Sequence, residues 1–439
     1  MDKQKPTNTA ANGTVTMATT NNNCIAAVLP QPARRVLQNF LLVWLDANLN
    51  ESNKDFKKSL QQLRHIVASI TTFTNAQECI DFLSAIKKEK VFMIVSGSLG
   101  RQIVPEIEVW PQLESIYVFC ANQSIHEQWT RNIAKVKGVH TSIEPICEAL
   151  QIDRENCDRA MISISFYGID ALFMYTQLLK EALLDIEDDD AKSIKELVEY
   201  CRLQDDIDKC EINMVEKEYR DHTPIWWYTA PIFMYSVLNR GLRLMDVDII
   251  LKMGFFIRHL HHRIEKLHHE QQQSKKNVIT PFTVFRGQGM SVEVFEKMNQ
   301  TKGGLMSFNN FLSTSKNRQV SLKFALAGAL KDSNMVGILF IMAINPVISS
   351  KSSIPYVDVS EEGYFEAHEA EILFTTHTIY RIDQIQRIHD DQCDTLWQVN
   401  LTLVNNNNHE LDKLTSRIRK ELSWATGWPR LGHILKNVG

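Results

Sequence analysis

The chain has 439 residues, 44% of them apolar, with 48 basic and 52 acidic side chains and a formal net charge of −4. That length supplies more than one buried core, and the charge balance gives no general attraction to nucleic acid. No run approaches the 18 to 20 or so uninterrupted apolar residues of a membrane span, so no membrane segment is expected.

In chain order, residues 1–34 are rich in Thr, Asn and Ala. Their one apolar patch, Cys24 to Leu29, is too short for a secretory core, and a disordered tail is expected. Residues 35–150 alternate apolar runs with helical stretches. Phe40 to Leu45, Ile66 to Phe73, Val91 to Val95, Ser115 to Cys120 and Val136 to Ile143 read as five strands, with a helix over Asn75 to Lys87. Such alternation predicts a parallel sheet with helices on both faces. The outline is similar to a receiver or flavodoxin-like α/β domain. A receiver's phosphorylation residues are missing: Asp46 is followed by Ala47, the third strand runs into Ser96-Gly97-Ser98, and Thr141-Ser142 fall near the fifth. An interaction or regulatory domain with a protein partner is expected; Gly97-Ser98-Leu99-Gly100 is either a turn or a phosphate loop.

Residues 151–209 read as a helical linker, with Glu187 to Asp190 a solvated helix start. Helices are expected from Tyr219 to Arg243, where Trp226 and Trp227 pack, and from Asp246 to His269. Ile257, Leu260, Ile264 and Leu267 set the apolar face of the second helix. That leaves most of His259, His261, His262, His268 and His269 on the wet side, so no metal is expected there.

Three segments in the following stretch point to chemistry. Thr283 to Arg286 reads as a strand, with Gly287 and Gly289 opening a turn after it. An arginine at a strand end can clamp a phosphate, and bare glycine backbone lets a planar ring approach. Phe308-Asn309-Asn310-Phe311-Leu312 leads into Ser313-Thr314-Ser315 before a helix from about Arg318 to Leu330, where Ser315 or Asn317 is the N-cap. Those hydroxyls can orient a carboxylate and a ribose. Finally, Glu369-Ala370-Glu371 precedes the apolar run Ile372-Leu373-Phe374. Residues two apart on a strand share a face, so Glu369 and Glu371 would grip a sugar hydroxyl and a cationic acceptor.

With Arg286, Ser313 and Glu371 in this order, residues 210–404 resemble the R-S-E class of mono-ADP-ribosyltransferases, and look closest to the invertebrate set found in rotifers. The resemblance implies an α+β ADP-ribosyltransferase fold, a two-sheet β core with N-terminal helices, following the α/β domain. It implies NAD or NADP as co-substrate, no metal, and an arginine-containing protein as acceptor. Arg286 would bind the diphosphate, and the Gly287 backbone the nicotinamide carboxamide. Ser313, flanked by Thr314 and Ser315, would hold Glu371 and the ribose. Glu371 would take the ribose 2′-hydroxyl and stabilise the oxocarbenium ion, while Glu369 would deprotonate the attacking guanidinium. Tyr364 and Phe365 fall on the family's acceptor-recognition turn, and the presence of Glu369 favours arginine. An NAD glycohydrolase and a catalytically silent scaffold are the alternatives.

Residues 405–439 read as a polar linker and helical tail, similar to the lead-in to tetratricopeptide repeats but stopping short of one repeat. The eight cysteines show no Cys-x-x-Cys and no zinc spacing. A reduced, cytoplasmic protein is expected, unlike the vertebrate ectoenzymes of the family.

Overall fold

The computed structural model describes residues 39–50, 52–67, 69–87, 89–170, 172–187, 189–204, 207–274, 280–330, 334–346, 354–364, 371–390, 393–404, 416, 419–420 and 426–438. The first part runs β1 (Phe40–Leu45), α1 (Lys54–Arg64), β2 (Ile70–Phe73), α2 (Ala76–Ala85), β3 (Lys90–Ser96), α3 (Gly97–Ile107), β4 (Leu113–Phe119), α4 (Gln123–Thr130), β5 (Val136–His140) and α5 (Glu144–Ala160). Its five strands pair in parallel in the order β2-β1-β3-β4-β5. This is one of the common doubly wound orders. The central strands are apolar throughout because both sheet faces are covered. Leu41, Val43, Val91 and Val95 meet α2 and α3 on one side, and Phe40, Leu42, Phe92 and Ile94 meet α1 and α5 on the other. Asn53 and Asn75 cap α1 and α2 by accepting main-chain N–H groups in the first turn.

The chain continues through β6 (Ile164–Phe166), α6 (Leu172–Leu184), α7 (Asp190–Arg202), α8 (Lys209–Glu218), α9 (Pro224–Thr229), α10 (Phe233–Leu244) and α11 (Val247–Ser274). Then follow β7 (Phe282–Ser291), α12 (Val292–Gln300), β8 (Leu305–Phe308), β9 (Leu312–Ser315), α13 (Arg318–Ala329), β10 (Met335–Ile344), β11 (Tyr356–Asp358), β12 (Glu371–Phe374), β13 (Thr378–Arg387), β14 (Leu396–Leu403) and α14 (Gly427–Val438). The stretch read as a linker therefore contains β6, which joins the large sheet through β8, and α7, which Asp189 caps. Leu178, Leu197, Val215, Trp227, Leu238, Ile257 and Leu435 show that α6 to α11 and α14 share one apolar core.

The second sheet is mixed, in the order β11-β12-β9-β7-β10-β14-β13-β8-β6. The expected two-sheet core takes the form of two ladders that meet at one pair, Phe285 with Ser315. Their inner residues, including Leu312, Ile372 and Phe374 from one and Val284, Phe340 and Val399 from the other, fill a single core.

Two sequence expectations are corrected here. Gly287 and Gly289 open no turn but lie inside β7, because α13 crosses that strand at contact distance: a Cβ on Gly287 would fall 1.5 Å from the Ser321 carbonyl oxygen. The histidines of α11 do not sit mainly in water. His261 and His268 are buried, since β11 and the β12–β13 turn cover a second side of the helix; Thr375 Oγ1 lies 2.6 Å from His261 Nδ1, and the Tyr356 carbonyl 2.8 Å from His268 Nδ1. Among the described residues no helix is long and apolar enough to cross a membrane, and no His, Cys, Asp or Glu cluster is placed to hold a metal ion.

Candidate functional site

The three motifs fall on neighbouring strands. β12 pairs with β9 so that Leu373 faces Ser313 and Glu371 faces Ser315, which puts Ser313 and Glu371 on one sheet face and Thr314 and Ile372 on the other. Arg286 comes in from β7, and its Nη1 donates to the Ser313 carbonyl at 2.8 Å. Arg286, Ser313 and Glu371 line one cleft of about 240 Å³.

Arg286 is 2% exposed, and burial, reinforced by the nearby Arg159 guanidinium, pulls its pKa down to about 9. The side chain is still cationic at neutral pH. Its other two nitrogens are also engaged: Nε donates to Gln288 Oε1 at 2.9 Å and Nη2 to the Arg159 carbonyl at 3.3 Å. Glu371 lies close enough to favour its charged form.

The Asn-Asn of the lead-in serves to position β9. Asn310 Nδ2 donates to Asn239 Oδ1 and to its carbonyl, tying the strand to α10, while Asn309 bonds Ser163 and Ser165 beside β6. Tyr228 of α9 donates from its hydroxyl to the Phe311 carbonyl, and burial holds that phenol well above its ordinary pKa. Tyr228 and Tyr235 both line the cleft, as does Thr229.

The other sequence-predicted positions divide. Thr314 is buried with its hydroxyl on the Ile372 carbonyl, and the Ser315 hydroxyl accepts from the Asn317 N–H, while Asn317 caps α13. Neither hydroxyl points into the cleft lining, and the Cα of Gly287 faces α13. Tyr364 does reach the site: its N–H donates to Thr229 Oγ1 at 2.8 Å, and its ring stands 5.3 Å from Trp226, which stacks on His222. Glu369 and Phe365 lie outside the described residues.

Sequence reasoning missed one wall altogether. Arg154, Glu155, Asp158 and Arg159 of α5, with Phe40, Ile66 and Val67, bring the α/β part onto the cleft. Arg159 lies over the Phe324 ring at 3.7 Å. Burial raises the Asp158 carboxyl to about 6 against the opposing pull of Arg154. The α5 residues carry no motif, and the closest contact uses a main-chain carbonyl that any residue would supply.

No family model and no curated protein matches the chain. Among solved structures, the Vis toxin of Vibrio splendidus, an ADP-ribosyltransferase, is 15% identical with a TM-score of 0.29, covering 52% of this chain and 91% of its own. The ADP-ribosyltransferase toxin Plx2a of Paenibacillus larvae is 17% identical at 0.29, covering 49% and 97%. The ADP-ribosyltransferase HopU1 of Pseudomonas syringae is 14% identical at 0.29, covering 55% and 100%. Scores this low assign neither fold nor function.

Proposed function

We propose that the chain is an R-S-E mono-ADP-ribosyltransferase that moves ADP-ribose from NAD or NADP to arginine side chains of proteins and releases nicotinamide. The observation that carries the reading is the convergence of Arg286, Ser313 and Glu371, from three separate segments, on one cleft. In this reading Arg286 holds the diphosphate as a planar fork, and the Gly287 main chain takes the carboxamide. Ser313 and Glu371 hold the nicotinamide ribose. As the ribose C1′–nitrogen bond to nicotinamide breaks, Glu371 stabilises the positive charge that develops on the sugar. A guanidinium is charged at neutral pH and a poor nucleophile, so Glu369 takes its proton as the guanidine nitrogen bonds to C1′. Tyr364, held to Thr229 at the rim, lies beside the path of the incoming acceptor. The α/β part is a flavodoxin-like regulatory domain in this reading.

Incubation of the purified chain with etheno-NAD, with and without agmatine as a small arginine mimic, tests the reading. Agmatine adduct supports arginine transfer, nicotinamide release alone makes the chain a glycohydrolase, and neither product sinks the enzyme reading. Glu371→Gln is expected to cut both transfer and hydrolysis by about 10²- to 10³-fold or more. Glu369→Gln is expected to lose transfer while keeping hydrolysis; equal loss of both means the roles are wrongly divided.

A further inference from the structure

We infer that the α/β part is a reversible lid on the cleft, held shut by the last turn of α5 against Arg286; the inference rests on the cleft being a dinucleotide site. Every nitrogen of the Arg286 guanidinium already donates to the protein, and one of the three acceptors, the Arg159 carbonyl, belongs to α5. Of the five guanidinium N–H groups two remain, one on each Nη, and the Nη2 hydrogen now on the Arg159 carbonyl reaches a diphosphate only once the helix end withdraws. The cleft of about 240 Å³ also falls below the roughly 300–1,000 Å³ that small-molecule sites span, and a dinucleotide needs the upper part of that range.

The way the two parts meet suits a lid. Among the described residues no apolar cluster crosses between them: those of the α/β part hold residues 40–161, and the others begin at 162. The contact is made by polar groups, with Arg240 on Glu89 at 2.9 Å, Arg243 Nη2 on Asn39 Oδ1 at 2.7 Å, and Arg159 over Phe324. Interfaces without a shared apolar core leave relative motion as the default. The seam is also imperfectly filled. Arg154 Nε and Arg243 Nε are buried without a hydrogen-bond partner among the described residues, and a second cavity of about 1,120 Å³ opens on the other flank of α5, between Cys157, Ala160, Leu113 and Gly289. The chain crosses from α5 to β6 through residues 161–163 alone, and the Ser163 N–H and carbonyl are bonded to Asn310 and Asn309 on the far side. That leaves Met161 and Ile162 as the hinge.

The test uses the full chain, a non-cleavable carba analogue of NAD, and hydrogen exchange of the α5 amides. In the wild type, the analogue is expected to speed exchange over residues 144–160. The double variant Glu89→Lys, Arg159→Ala sets a like charge against Arg240 and removes the Phe324 stack. It is expected to show fast α5 exchange without ligand and to bind the analogue at least tenfold more tightly. Slower α5 exchange in the wild-type complex, with no gain in affinity in the variant, overturns the lid and leaves the dinucleotide site standing with α5 as its wall. A variant whose α5 exchanges fast yet binds no analogue overturns the dinucleotide reading, and the lid with it.

Discussion

Arg286 shows how one side chain can be both structural and functional. Its three nitrogens meet three acceptors fixed by different elements: Gln288 on the same strand, the Ser313 carbonyl on β9 and the Arg159 carbonyl on α5. A lysine places a single ammonium where the fork had three separated donors, so at least one buried carbonyl or amide oxygen is left unmet. Each such loss costs about 1–3 kcal/mol. Arg286→Lys is therefore expected to lower the unfolding free energy by that amount, read as a lower urea midpoint at unchanged slope, and to weaken NAD binding as well. An unchanged midpoint would show that the network contributes nothing to the fold. Arg286 and Ser313 were legible in the sequence because they belong to a motif of strand segments in a fixed order, although Arg286 lies mid-strand in β7 and not at a strand end; Gln288 and Arg159 were not, since their value comes from where the fold puts an oxygen.

At the scale of elements, the contact between α13 and β7 depends on missing side chains. Gly287 faces the Ser321 carbonyl, and Gly289 faces Gly328, where a Cβ on Gly328 would sit 2.4 Å from the Gly289 Cα. Main chain blocks both positions, so no rotamer change can relieve the clash. Gly287→Ala is expected to push α13 off the strand and to cost more than the usual 1–3 kcal/mol of an overpacked core. Gly432 in α14 is the control: nothing lies within 4 Å of a Cβ there, and alanine should stabilise that helix by up to about 1 kcal/mol. Opposite signs of the change in melting temperature are expected, and a neutral Gly287→Ala refutes the close approach. The sequence reading placed Gly287 and Gly289 in a turn because glycine is the commonest turn signal. A helix crossing a strand more than thirty residues away in sequence leaves no local mark, whereas the apolar runs of β1, β3 and β4 declare their own burial.

Across the whole molecule, the helical layer meets the mixed sheet at a seam where α6, α11 and the turn between β12 and β13 bring three basic groups together. Burial lowers His261 to about 2 and His377 to about 3, with Lys180 opposing the charged form of both, and lowers Lys180 itself to about 8. The histidines are engaged as neutral rings, His261 Nδ1 with Thr375 and His377 Nδ1 with Thr376, while the Lys180 amine, still mostly cationic at pH 7, donates to the Thr376 carbonyl; His377 Nε2 is buried without a hydrogen-bond partner among the described residues. Both histidine pKa values are depressed in the fold. The stability they contribute is complete above the unfolded value near 6.5, and it is lost as pH falls toward 3 and 2, because the unfolded chain binds protons that the folded one refuses. Well below pH 6 each histidine should remove about 1.4 kcal/mol per pH unit. The test is a comparison of slopes, since any replacement also alters packing. His261→Gln loses the charge without the volume, and His377→Asn suits the left-handed backbone at that position, φ 57°. Each variant is expected to start below the wild type at pH 7.5, and the gap should close by about 1.4 kcal/mol per unit between pH 6 and 4. Stability curves that stay parallel over that range would mean the histidines titrate alike in both states, and that the seam is open to water.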